Sequence, residues 1–235
     1  MGNYDKDLNP VLEKANNEEL MPLVDYMLKK LSNAIDIDDR YKANPQKPTN
    51  YVDLIADELR LFGGNSFVNL VRGEGVSYKE VVCDVAKILK VPFNHNSNVE
   101  RIETLVIQKV FEESLEKMSD EEKEEALKEL GITNIPAGAS TAMLMQLIVK
   151  AGGFASYKVA VIVANAVAKF ILGRGLSFAA NRALTKALSI FAGPIGWIIT
   201  SVWMAIDIAG PSYKTTIPCV IHVAMLRQKQ KYNVR

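Results

Sequence analysis

The run Ala187–Ile206, ALSIFAGPIGWIITSVWMAI, holds 20 consecutive residues without a formal charge. A helix that crosses a bilayer needs about 20 mostly apolar residues, so this run is long enough to span. Arg182 and Lys186 precede it, Lys214 follows it, and Trp197 and Trp203 are of the residue type that settles at a membrane interface. Together with Ile198, Ile199 and Val202 they form the expected membrane anchor. Against a simple span stands Gly193-Pro194-Ile195-Gly196, because proline removes a helical hydrogen bond and clashes with the preceding turn. That tetrapeptide predicts a kink or a break, leaving two shorter arms of a re-entrant or hairpin element. The reading of this run decides the fold class. It is either a membrane element or the buried centre of a soluble bundle, whose helices are also apolar all round.

Upstream, Phe154–Leu172 is a second candidate span, interrupted by Lys158, Asn165 and Lys169. A charge at the centre of a spanning helix costs about 2.5–3.5 kcal/mol, so these lysines must reach headgroups or line a polar path. The three residues share one helical face and are the candidate pore lining. Ser156, Ala160, Ala164 and Ala168 recur every four residues, and Ala179, Ala183 and Ala187 repeat the pattern. With Gly193 and Gly196, such small residues permit close helix packing, in lipid or in a tight soluble bundle. Two further apolar stretches, Ala137–Val149 and Thr215–Leu226, are too short to span comfortably. The tail Arg227–Arg235 carries four basic residues and no acid. Beside a hydrophobic segment it favours an anionic leaflet, by about 1 kcal/mol per basic residue.

Working outward to the whole chain, 235 residues allow one or two domains, and 49% hydrophobic residues exclude wholesale disorder. The net charge of +1 conceals a division. Residues 1–130 carry 17 Lys+Arg against 26 Asp+Glu, whereas residues 131–235 carry 11 Lys+Arg and a single acid, Asp207. This asymmetry predicts an acidic cytoplasmic helical domain over 1–130 and a basic, membrane-associated helical domain over 131–235. No secretory signal opens the chain, so Cys83 and Cys219 are expected as free thiols in a reducing cytoplasm. The implied location is a bacterial inner membrane crossed an even number of times, with a cytoplasmic protein as the alternative.

The acidic part reads as helices. Leu20, Leu23, Val24, Met27, Leu28 and Leu31 form one stripe behind a cap at Asn17, and residues 33–50 read as a polar loop. A helix over Tyr51–Phe62 ends at Gly63-Gly64, and a short segment covers Ser66–Arg72. Ser77 and Asn98 cap two more helices, and Ser119 with Glu122 makes a capping box for another. No period-two segment is long enough for a strand, so the class is all-α.

Leu54-Ile55-Ala56, Glu58-Leu59, Phe62-Gly63-Gly64, Ser66, Asn69, Arg72-Gly73, Gly75, Tyr78 and Asp84-Val85 form one block. Gly193-Pro194, Gly196, Ser212-Tyr213, Thr216-Ile217-Pro218 and Leu226-Arg227 form a second. In both blocks the sequence resembles the YaaW family of bacterial proteins, which is sometimes grouped with ubiquinol–cytochrome c reductase assembly chaperones. The resemblance implies a family and no activity.

Candidate chemistry is sparse. Asp36-Ile37-Asp38-Asp39 has Tyr41 where a calcium loop needs glycine and Lys47 where it needs glutamate. His95 and His222 stand apart from any acidic or cysteine cluster, so neither metal nor other cofactor is expected. Glu58 and Asp84 need not be neighbours, and no nucleophile stands with a base, so an enzyme is not expected. Arg60, Arg72 and Lys79 are the candidate site for an anionic regulator such as a nucleotide or oligonucleotide, beside the turn 72–75. Three functions stay open. The first is an oligomeric membrane pore or channel governed by the acidic domain, laid out like membrane effectors of phage defence. The second is a membrane-apposed chaperone for apolar client segments, and the third is a soluble interaction module.

Overall fold

The computed structural model describes residues 4–30, 33–63, 75–177, 185–206 and 212–232. The segment Ser66–Arg72 with Gly73, the leading Arg182, the tail residue Arg235 and the small residues Ala179 and Ala183 lie outside this range. Among the described residues the chain is all-helical, as the periodicity predicts: α1 Asn9–Leu12, α2 Asn17–Leu28, α3 Asp39–Ala43, α4 Val52–Gly63, α5 Tyr78–Ile88 and α6 Val99–Glu116. The order continues with α7 Asp120–Glu129, α8 Thr141–Lys150, α9 Gly153–Leu172, α10 Thr185–Ile206 and α11 Tyr213–Lys231.

Local chemistry sets the starts. Ser77, Asn98 and Ser119 each accept a hydrogen bond from the third backbone N–H of their helix. Glu122 returns the bond to Ser119 N at 2.9 Å, completing the box. The cap of α2 is Asn16, one residue before the expected Asn17, because Glu19 stands at the box position relative to Asn16 and accepts its N–H at 3.0 Å. The polar stretch 33–50 is not all loop. Asp38 caps the short α3, and Pro48–Tyr51 forms a 3₁₀ turn leading into α4.

Tertiary packing centres on α11. Every residue from Thr215 to Leu226 is buried, so this stretch of the helix has no solvent face. It packs against α1, α2, α4, α5, α6, α9 and α10. One hydrophobic cluster runs from Leu8 to Leu226, so the boundary at 130/131 divides the charge and the core crosses it. The stretch Thr215–Leu226, too short to span, is the axis of the bundle.

The two long apolar helices form a pair, with α9 in extensive contact with α10 and α11. Ala160, Ala164 and Ala168 are buried on α9, as the small-residue spacing predicts. Gly173, in the left-handed conformation at φ +73°, ends α9 and donates to Lys169 O at 3.0 Å. Helix α10 runs unbroken through Pro194, where the sequence predicts a kink or break. Packing on α9, α6 and α7 holds the helix across the missing hydrogen bond. Gly196 lies against the Phe170 ring, whereas Gly193 is exposed with no atom near a Cβ position, so it takes no part in packing.

This contrast gives a stability test. Gly193→Ala should be nearly neutral, within about 0.5 kcal/mol, because the gain in helix propensity is offset by crowding of the new Cβ against the Pro194 ring. Ala164→Leu should destabilise it by about 1–3 kcal/mol through overpacking. Thermal or urea unfolding of both variants distinguishes this packing from any in which α9 is free.

Candidate functional site

Three features of the helices bear on function: ion pairs that join the two halves, the outer surfaces of α8 and α10, and the polar groups sealed under α11.

Among the described residues the most deeply buried carboxylate is Glu103 on α6, 1% exposed. Arg227 Nε donates to its Oε2 at 2.6 Å, and the Tyr78 hydroxyl donates to its Oε1 at 2.7 Å. Burial raises the Glu103 pKa, while the Arg227 charge and the two hydrogen bonds pull it back down. Burial also works against the Arg227 charge, but Glu103 holds the guanidinium pKa above its ordinary value. Arg227 further donates to Asp7 O, tying the N-terminal segment to the same point. Tyr78 and Arg227 belong to the two separate blocks of the YaaW resemblance, and they meet on this one carboxylate.

Four other basic residues of the second half pair with acids of the first. Lys229 pairs with Glu19, Lys231 with Glu100, Arg174 with Asp25 and Lys186 with Glu125. The tail expected on a lipid leaflet is thus bound, through Arg227, Lys229 and Lys231, to carboxylates of the acidic half. Sequence reasoning missed Glu19, Asp25, Glu100, Glu103 and Glu125. The available signal was the near-equal and opposite charge of the halves, which suits mutual pairing as well as it suits an external polyanion.

His222 is buried on α11, and its Nε2 lies 2.7 Å from Glu19 O, so the carbonyl accepts and Nε2 carries the proton. Burial pushes its pKa down to about 4. Cys83 and Cys219 are free and buried, with burial raising both thiols.

The proposed pore-lining residues do not share an open path. Lys158 is half-buried and donates to Glu129 O at 3.2 Å, and Lys169 is exposed. Asn165 is buried, its Oδ1 accepting Leu176 N at 2.9 Å, which folds the post-α9 loop onto the helix. The anchor residues divide as well. Trp197 is 72% exposed, Trp203 and Val202 are half-buried, and Ile198 and Ile199 face the core. Trp203 stacks near Phe170, with ring centroids 5.5 Å apart.

The candidate anion site is not assembled either. Arg60 is buried and donates to Val76 O at 2.9 Å and Gly75 O at 3.3 Å, with Asp5 and Asp57 within ion-pair range. Lys79 is half-buried on α5, and Arg72 lies outside the described residues. Glu58 accepts Ala34 N at 2.9 Å, and Asp84 pairs with Lys87. Asp38 serves as a helix cap and pairs with Arg40. Among the described residues no group of three or more His, Cys, Asp or Glu side chains is placed to hold a metal.

The molecule is therefore an all-α protein with a central basic helix and two helices, α9 and α10, long and apolar enough to cross a membrane. The chain belongs to the UPF0174 family. It is 46% identical over 239 residues to a UPF0174 protein of Helicobacter pylori strain J99, covering 96% of this chain and 92% of that one. A second UPF0174 protein of that strain is 41% identical over 221 residues, covering 92% and 99%. The UPF0174 protein YaaW of Escherichia coli K12 is 28% identical over 190 residues, covering 80% and 75%. The family read from the two motif blocks is borne out. No family model matches the chain. No solved structure matches it.

Two measurements test the buried groups. Glu103→Ala, which leaves Arg227 unpaired, should cost about 3–5 kcal/mol, and pairing Glu103→Leu with Arg227→Met should restore much of that loss in urea unfolding. His222, near 6.5 when unfolded and about 4 when folded, contributes stability that is complete above about pH 6.5 and lost as pH falls toward 4. That loss, about 3 kcal/mol, should flatten in His222→Gln when the two pH profiles are compared.

Proposed function

We propose that this chain is a non-enzymatic, membrane-directed effector carried in a closed form, with the α9–α10 pair as its membrane element. The observation that carries this reading is the unequal burial of the pair. In the membrane-length windows 61% of α9 is buried against 33% of α10. A long uncharged helix that serves only as core is buried on every side. Helix α10 instead leaves Trp197 and Met204 in solvent, at 72% and 75% exposure.

The ion pairs support the same reading through their unequal strengths. Arg174–Asp25 and Lys186–Glu125 fasten the ends of α9 and α10 to α2 and α7, and both basic partners are more than half exposed. Exposed pairs of this kind contribute about 0–1 kcal/mol each. The pair can therefore leave the bundle at low electrostatic cost, while Arg227–Glu103 keeps α11 in place. The polar path of Lys158, Asn165 and Lys169 belongs to the opened, oligomeric form.

A second reading, the chaperone for apolar client segments, rests on a cleft of about 590 Å³ between the end of α6 and α10. Trp197, Ile198 and Val202 line it with Glu113, Glu116 and Lys117, an apolar floor with two acids and one base on its rim, open to a client segment flanked by basic residues.

Purified protein, soluble without detergent, should release dye from phosphatidylglycerol-containing vesicles with a blue shift of tryptophan emission. Lys158→Leu with Lys169→Leu should change the release rate. Emission that ignores vesicles but shifts with a lysine-flanked apolar peptide would replace the effector reading with the chaperone.

A further inference from the structure

We infer that the outward face of α8, continued through the 151–152 turn into the start of α9, is the surface on which the closed protein first docks on an anionic lipid surface. This inference rests on the membrane-directed reading and adds where contact begins.

Helix α8, TAMLMQLIVK, carries one charge, Lys150 at its C-terminal end, and buries Leu144 and Ile148. A short surface helix ordinarily turns its polar residues outward. This one turns out Met143 and Val149, and Phe154 follows just beyond the turn, at 46%, 57% and 57% exposure. Lys158 lies over the Phe154 ring at 5.2 Å, and Lys150 stands beside Val149. Exposed large apolar groups bordered by lysines are the composition of a helix that lies in a membrane interface.

Charge complementarity names the occupant. No acid occurs between Gly131 and Ile206, so α8, the turn and α9 present only positive charge of their own. Acidic residues nearby are Glu129 of α7, whose carbonyl accepts from Lys158, and Glu112 of α6, which lines a groove of about 400 Å³ beside Val149 and Lys150, where Lys109 also stands, paired with Glu113. The Trp197 face of α10 is less suited to first contact, because its cleft sets Glu113 and Glu116 against one base, Lys117. An anionic leaflet is therefore attracted more strongly at α8 than there. The groove, with Val91, Leu105 and Met145 on its wall, gives an acyl chain an apolar surface next to the two lysines.

The test is co-sedimentation of the full chain with vesicles of phosphatidylglycerol or of phosphatidylcholine alone. Wild type should bind the anionic vesicles at least about tenfold more tightly. Lys150→Glu should weaken that binding about fivefold or more, in line with the contribution of one basic residue near an anionic leaflet. Val149→Ser with Phe154→Ser should weaken it about tenfold or more, while Ile37→Ser, also an exposed apolar residue, leaves it unchanged. All these side chains face solvent, and circular dichroism should report an unaltered fold. Equal binding by the Val149/Phe154 variant and wild type would overturn the α8 assignment and leave the membrane-directed reading standing. Equal affinity for both vesicle types would also overturn it, because attraction by charge is its basis. Failure of wild type to bind any vesicle would overturn both.

Discussion

A carboxylate sealed in a helical core has to be matched, and the match for Glu103 dictates how this chain closes. An ionised carboxylate out of water costs several kcal/mol unless charge and hydrogen bonds replace the solvent. Arg227 and Tyr78 supply that replacement, one from the last helix and one from α5. Arg227 can reach Glu103 only if α11 threads between the N-terminal helices, and once it does, residues Thr215–Leu226 are enclosed on every side. The position of the central helix is thus fixed by an ionic contact at its end and by apolar contacts along its length. The apolar contacts supply most of the stabilisation, and the ion pair sets which face of α11 meets α6.

That constraint recasts the charge asymmetry. An excess of acid in one half and of base in the other suits an external anionic surface, and it equally suits two halves that neutralise each other. The structure uses it largely in the second way, through Glu103, Glu19, Glu100, Asp25 and Glu125. The membrane-directed reading then depends on what the internal pairing leaves over. On α8 and the start of α9 that remainder is apolar and basic.

Much of the fold was legible from local chemistry. Ser77, Asn98 and the Ser119–Glu122 box are recognisable because a cap bonds within four residues of itself. The buried alanine stripe of α9 was legible for a related reason, since its spacing follows from helix geometry alone. What escaped depends on partners far along the chain. Asn165 looks like a polar interruption of a span until Leu176 N is seen to need an acceptor. Arg60 looks like an anion ligand until the carbonyls of Gly75 and Val76 close on it. Pro194 predicts a break from local sterics, and α10 stays whole because neighbouring helices hold the flanking turns in register. Polar residues in an apolar helix are ambiguous for this reason: the same side chain serves a pore or a backbone group, and only its neighbours decide.

The strengths of these contacts also differ along the molecule in a direction that matters for the proposed function. At Glu103 the pair is buried, so separating it would strand a charge in the core. At Lys186 both partners are open to water, and at Arg174 the cation is while Asp25 is partly buried, so separating these pairs costs less than separating Glu103 from Arg227. In the proposed function, opening would therefore start from the α9–α10 side, where the electrostatic ties are weakest. The principal cost of such an opening is the apolar surface that α9 shares with α11, α6 and α2. Water would not repay that cost, because burial is what stabilises α9. A hydrocarbon phase would repay the α9 side of that cost, and self-association of the uncovered helices would have to repay the other, so the proposed opening requires a bilayer already in contact.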